Sequence, residues 1–258
     1  MTSADCVLSE QRDGALILTL SNPGRRNAFF PEMRERLTQC IRAAAHDASV
    51  RCVILTGADG HFCAGADLRR AAEADPSPLA VRQRVRTLHD LVLAIVSGPK
   101  PVIAAVEGDA FGAGLSLAVA ADFVVCGRGA RLGATFAKIG LLPDMGLLHT
   151  LPARVGPARA RRLMLTGAVI DAEAAASIGM IDELSSQGEA LARSLQIAQD
   201  LAASAPLAQA MIKSTMAGDL DQLLARELDI VPLLASSEDH KAAVAAFFNK
   251  SQTTFRGR

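Results

Sequence analysis

The chain has 258 residues, half of them hydrophobic, which is enough apolar surface for one sizeable core. Lys plus Arg equals Asp plus Glu at 27 each, so no net field draws the protein to nucleic acid or to an anionic membrane, and any anion it binds must be captured locally. Five cysteines without a C-x-x-C pair and five histidines without H-x-x-x-H spacing disfavour a disulfide framework and a metal site, so a reducing cytoplasm and no metal are expected.

The N-terminal stretch MTSADCVLSEQ lacks a basic region followed by an apolar one, and every apolar run is broken short of a membrane span, which predicts a soluble, untargeted chain. Residues Cys6 to Glu10 and Ala15 to Leu20 read as a hairpin across Asp13-Gly14. After the punctuation of SNPGRRNA, Pro31 to Ala45 carries apolar positions at helical spacing, and Val50 to Gly57 is a buried strand. Pro78 to Val96 is an amphipathic helix with Ser77 as N-cap and Pro78 at its first position. Pro101 to Val106 and Phe123 to Cys126 are further strands, separated by an Ala-rich helix that starts near Gly112. From Pro143 onward the pattern is nearly all helical, apart from a short strand-like break at Ile181 to Leu184. The order is mixed α/β, with a core over 1–190 and a helical region over 191–258 whose surplus apolar face packs on the core or on another subunit.

Two glycine-rich segments, HFCAGADL (61–68) and GDAFGAGLSLA (108–118), each follow a strand and lead into a helix. Glycine lets backbone approach a ligand closely, and free N–H groups at a helix start are donors for a negative oxygen. Either segment alone is equally well read as a tight strand-to-helix turn. The second is not a dinucleotide loop: its glycines run G-x-x-x-G-x-G (Gly108, Gly112, Gly114), and no acidic residue follows at the distance of about 20 residues that a ribose contact needs. The run Gly114 to Ala118 is related to a G-x-S-x-G elbow, with Ser116 as nucleophile and His149 as base, although Ala118 stands where the second glycine belongs.

NPGRRNAF (22–29), VILTGADGHFCAGADL (53–68), PVIAAVEGDAFGAGLSLAVAADFVV (101–125) and the FFNK...F tail occur together in one order. With similar spacing over nearly the whole chain, they resemble the enoyl-CoA hydratase/isomerase, or crotonase, family. The resemblance implies a spiral of ββα repeats followed by a C-terminal helical region that assembles trimers and hexamers (dimers of trimers). It implies an acyl-CoA substrate with no separate cofactor, because coenzyme A arrives as part of the substrate. It also maps an oxyanion hole onto the backbone N–H groups of Ala66 and Ala113. Around them it implies substrate contacts from Ala64, Gly65, Asp67 and Leu68 in the first segment and from Phe111 and Gly112 in the second. Asn27 and Ala28 match a family pair whose backbone lies on the path of the adenine and pantetheine, and Lys250 and Phe255 resemble tail residues that touch CoA. Arg25 and Arg26, with Arg69 and Arg70, are the local cations for the CoA phosphates or are merely surface charges.

Family hydratases use two glutamates. An ungapped alignment puts those positions on Ser116 and Phe136, neither a carboxylate, which weighs against the usual hydration route. IGLLPDMG (139–146) resembles instead the I-G-x-x-P-D-x-G segment of ring-forming and double-bond-shifting isomerases, which makes Asp144 the acid/base in a pocket lined by Phe111, Phe136 and Leu141. Read from the residues alone, Asp144 is more readily the cap of a helix over Met145 to Arg154, and it is the resemblance that turns the reading to an acid/base. The expectation is double-bond isomerisation through a thioester enolate. Hydration, with Asp144, Glu107 or Asp109 organising the water, and a non-catalytic acyl-CoA binder are the alternatives.

Overall fold

The computed structural model describes residues 6–258; the reading of the first five residues as untargeted lies outside them. The chain opens with β1 (Val7–Arg12) and β2 (Ala15–Leu20), an antiparallel hairpin, then α1 (Pro31–His46), β3 (Cys52–Gly57), α2 (Leu68–Glu73) and α3 (Pro78–Val96). Next come β4 (Val102–Val106), β5 (Asp109–Phe111), α4 (Ala113–Ala120), β6 (Phe123–Gly127), β7 (Arg131–Gly133) and a 3-10 turn at Thr135–Ile139. The remainder is α5 (Leu147–Val155), α6 (Pro157–Thr166), β8 (Val169–Asp171), α7 (Ala172–Ser177), β9 (Glu183–Ser185), α8 (Ala190–Ala202), α9 (Pro206–Met216), α10 (Leu220–Ser236) and α11 (Glu238–Asn249). Among the described residues no helix is long and apolar enough to cross a membrane.

Six strands form one sheet in the order β1-β2-β3-β4-β6-β9, parallel from β2 onward, and β5-β7-β8 form a second, smaller sheet. Twice the chain runs from a strand of the large sheet to one of the small sheet and then to a helix, as β4-β5-α4 and as β6-β7 with the 3-10 turn and α5. The inner strands β2, β3, β4 and β6 are covered on both faces, which is why they read as nearly continuous apolar runs, whereas β1 at the edge (VLSEQR) is largely exposed. Ile17, Ile54, Ile103 and Val125 point to one face and meet Ala190, Ile197 and Ala198 of α8. Leu18, Val53, Leu55, Ala104 and Val124 belong to the main core with α1, α3 and α4. The period of two along each strand therefore feeds two cores.

Three helix details position the site. Ser77 accepts the Ala80 N–H at the start of α3, the cap the sequence predicts. Helix α10 lies along α3, with Val231 buried against Val81 and Val85. Glu107, just past β4, turns away from the glycine segments and accepts the Ala190 N–H at the start of α8, 3.0 Å away.

Candidate active site

The two glycine-rich segments lie against each other as a short parallel ladder. Cys63 N donates to Asp109 O and Phe111 N donates to Cys63 O, at 2.9 and 3.1 Å. Two residues later, Gly65 has φ +100°, and a Cβ there would stand 2.9 Å from the Phe111 carbonyl oxygen and 4.0 Å from Ala113 N. No side chain fits, and the absence of one lets the Ala66 backbone run close to the start of α4. Gly112, the residue before α4, holds φ 51° and ψ −120°, a conformation that only glycine adopts readily.

These turns leave two N–H groups free. Phe29 pairs with the first segment through Gly65 O and Asp67 N, so the Ala66 N–H between them makes no backbone hydrogen bond among the described residues. Ala113 is the first residue of α4, and its N–H has no helical acceptor one turn back. Both are fixed donors, and the positive end of the α4 dipole sits behind the second.

Asp144 lies on the loop before α5, and three contacts define its place. Ser116, buried one turn into α4, donates its hydroxyl to the Asp144 carbonyl oxygen at 3.0 Å. The helix that starts at Ala113 is thereby bonded directly to the Asp144 main chain. Met145 and Gly146 both take left-handed φ, 55° and 71°. Met145 is fully buried, and a non-glycine residue held there costs about 1 kcal/mol or more. Glu227 of α10, completely buried, accepts the Gly146 N–H at 3.0 Å through Oε1, while its Oε2 meets His89 Nε2 of α3 at 3.0 Å.

The Asp144 carboxyl does not cap a helix. Helix α5 begins at Leu147 with Gly146 as its N-cap and no side-chain cap, which corrects the capping alternative. Asp144 Oδ1 is buried without a hydrogen-bond partner. Burial, and after it the charge of Glu227, push the Asp144 carboxyl up to about 8.

Several residues of the sequence reading take other roles. The Ser116 hydroxyl points at a carbonyl rather than at His149, so the nucleophile alternative is set aside. Asp109, almost fully buried, accepts from Arg26 at 2.8 Å and from Arg131 at 2.6 Å. With Glu107 committed to α8, of the three carboxylates proposed as water organisers only Asp144 is left without such a commitment. Arg26 therefore ties its loop to β5 instead of standing open to an anion. Arg70 bonds Glu32 and lies 4.2 Å over the Phe30 ring, whereas Arg25 reaches Asp67 only at 3.9 Å and Arg69 has no ion pair among the described residues. Asp67 caps α2 through the Arg69 and Arg70 N–H groups. Asn27 is buried and donates to Ala58 O and His61 O, holding the loop that contains Ala28 against the turn after β3; Ala64 N in turn donates to Arg26 O.

Phe136 is buried and Leu141 partly so, both packed in the main core, while Phe111 is half-buried with the Arg131 guanidinium 5.5 Å from its ring centre. Lys250 closes α11 in a left-handed conformation and Phe255 is exposed. Their tail is bound to the start of α11, where Asp239 accepts the Arg256 and Gly257 N–H groups. His89 and Glu227 are the residues that sequence reasoning missed. The one available signal was a lone acidic residue on the apolar face of a helix, and nothing in the sequence indicates that it meets His89, 138 positions away.

The mixed α/β scaffold thus presents two backbone N–H groups without backbone partners from adjacent glycine turns, and an aspartate, unpartnered at Oδ1, whose main chain is bonded to the helix that carries one of them. The family model "Enoyl-CoA hydratase/isomerase" matches residues 10–258. A 1,2-epoxyphenylacetyl-CoA isomerase of Escherichia coli is 36% identical, with 98% of each chain covered. A 2,3-dehydroadipyl-CoA hydratase of the same organism is 34% identical over 99% of this chain and 100% of its own. Among solved structures, an enoyl-CoA hydratase from Mycobacterium avium subsp. paratuberculosis superposes with a TM-score of 0.87 at 27% identity, covering 97% of this chain and 98% of that one. The chain belongs to the enoyl-CoA hydratase/isomerase family and has the crotonase fold.

Proposed function

We propose that this enzyme shifts a carbon–carbon double bond in an acyl-CoA thioester, with Asp144 as the acid/base and the N–H groups of Ala66 and Ala113 as the oxyanion hole. Asp144 takes a proton from the carbon alpha to the thioester, and the electron pair moves onto the carbonyl oxygen. The two N–H groups stabilise that oxyanion, each contributing about 3 to 4 kcal/mol by analogy with other such donors. The conjugated enolate then takes the same proton back two carbons away. Protons and electrons balance without a co-reactant, so coenzyme A enters only as part of the substrate and no further cofactor is required.

The observation that supports this reading is the buried Asp144 carboxyl, unpartnered at Oδ1 and raised to about 8, bonded through Ser116 to the helix that begins at Ala113. A carboxyl with that pKa both holds and releases a proton near neutral pH. At pH 7 about one molecule in ten is ionised, so turnover should rise with pH through about 8. Hydration is the competing reading, favoured by the dehydroadipyl-CoA hydratase among the relatives. Against it stand Ser116 and Phe136 at the glutamate positions and the engagement of Glu107 and Asp109 elsewhere.

Arg25 and Arg69 are the less engaged cations for the CoA phosphates, joined by Lys250 and Phe255 of the tail. Leu207, Met211 and Met216 of α9 expose apolar surface that a trimer or hexamer of this chain would cover. On this reading residues 191–258 form the assembly region of a cytoplasmic enzyme. The test offers purified protein 2-enoyl-CoA and 3-enoyl-CoA in parallel. Conjugated absorbance appearing from the 3-enoyl substrate, and lost in Asp144→Asn, is expected. Loss of conjugation from the 2-enoyl substrate, or full turnover by Asp144→Asn, would overturn the proposal.

A further inference from the structure

Asp144 sits on a turn that the local chain does not favour. Met145, a buried non-glycine residue, and Gly146 are both left-handed, so the turn persists only where its surroundings hold it. Beside the turn's own Leu147 N–H to Asp144 carbonyl bond, two bonds from elsewhere in the fold do so: Ser116 on the Asp144 carbonyl from one side and Glu227 on the Gly146 N–H from the other. Glu227 is completely buried, and a carboxylate is an expensive group to place inside a core for packing alone. Both its oxygens are used, one by Gly146 and one by His89, which is itself buried and joins α3 to α10.

We propose that Glu227, backed by His89, is a positioning residue of this enzyme: by holding the left-handed Met145-Gly146 turn, it keeps the Asp144 carboxyl aligned with the α4 helix that carries the Ala113 N–H. The inference rests on Asp144 being the acid/base. Glu227 touches the turn and not the substrate. Its charge is also the one that acts on Asp144 across the loop. The other faces around the turn are Ser116 from α4, His89 from α3 behind Glu227, and the apolar Val92, Leu220 and Leu224 around Gly146.

Glu227→Ala and Glu227→Gln in the full chain separate the two effects. Alanine removes both bonds, and kcat for the 3-enoyl-CoA should fall about tenfold or more while KM stays nearly constant, as a small misplacement of an acid/base does. Glutamine keeps an oxygen for the Gly146 N–H, so it should recover most of that kcat. Because glutamine removes the neighbouring negative charge, the limb of the pH–rate profile set by Asp144 should move to lower pH. Adding Glu227→Ala to Asp144→Asn should lower turnover no further. Wild-type kcat and pH profile in both variants would overturn the inference, as would a glutamine variant no better than alanine. Should the alanine variant fail to fold, an unmoved pH limb in the glutamine variant overturns it by itself. If Asp144→Asn turns over normally, the functional reading fails; if it is inactive while the Glu227 variants behave as wild type, only this inference fails.

Discussion

Replacing Asp144 by Asn should make the protein more stable, and increasingly so as the pH rises from about 4 to 8. The folded carboxyl titrates at about 8, against the ordinary 3.8 that applies once the chain unfolds. Between those values the unfolded chain has lost the proton and the native protein keeps it, so the native state binds more protons and stability declines with rising pH. A raised carboxyl thus contributes stability that is fully present below the unfolded pKa and is lost on the way to the folded one. A shift of that size corresponds to a ceiling of roughly 6 kcal/mol at 1.36 kcal/mol per unit, and relaxation of the loop or entry of water will bring it nearer to about 2 to 4 kcal/mol. Asparagine is nearly isosteric and cannot ionise, so it removes this pH dependence while leaving the Ser116 bond to the residue 144 carbonyl in place. Urea unfolding of wild type and Asp144→Asn at one protein concentration, from pH 4 to 9, measures the difference directly. The gap should widen with pH and level off above about 8. A gap that is flat across that range would show that Asp144 is ionised in the folded protein and would refute the raised carboxyl.

Other outcomes test the rest of the site. Ser116→Ala should cost about 1 kcal/mol of stability and less than a tenfold loss of turnover, whereas loss of a true nucleophile would remove nearly all activity. Gly65→Ala should lower kcat/KM by roughly 10² to 10³ through displacement of the Ala66 N–H, since its Cβ would press on the Phe111 carbonyl. Gly112→Ala meets nothing nearer than the Thr135 hydroxyl at 3.5 Å, so its cost, about 1 to 3 kcal/mol in urea unfolding, comes from backbone strain alone. All five cysteines are buried, and burial pushes the Cys63 and Cys126 thiols up to about 12. An aromatic disulfide reagent at pH 8 should therefore modify them only in denaturant, and rapid labelling of the native protein would contradict their burial.

Local pattern was enough for the strands of the large sheet and several helices, but not for β5, β7 and β8, whose three residues each are too few to carry a period. The continuous apolar run of Cys52–Gly57, the serine and proline that open α3, and the Asp13-Gly14 turn each state their structure within a few residues. The two segments proposed to supply the oxyanion donors were legible as turns for the same reason: a glycine needed at positive φ and a helix start both leave a mark in sequence, and the family resemblance paired them. Side-chain commitments were not legible. Whether Arg26 faces an anion or Asp109, and whether Glu107 faces the site or α8, depends on contacts across 83 positions in each case. Sequence left Asp144 divided between a helix cap and an acid/base. Tertiary structure excluded the cap, because α5 starts only at Leu147, after a turn that Ser116 from α4 and Glu227 from α10 both bond. A pKa near 8 arises from burial and from a charge 83 residues further along the chain, and both exist only after folding.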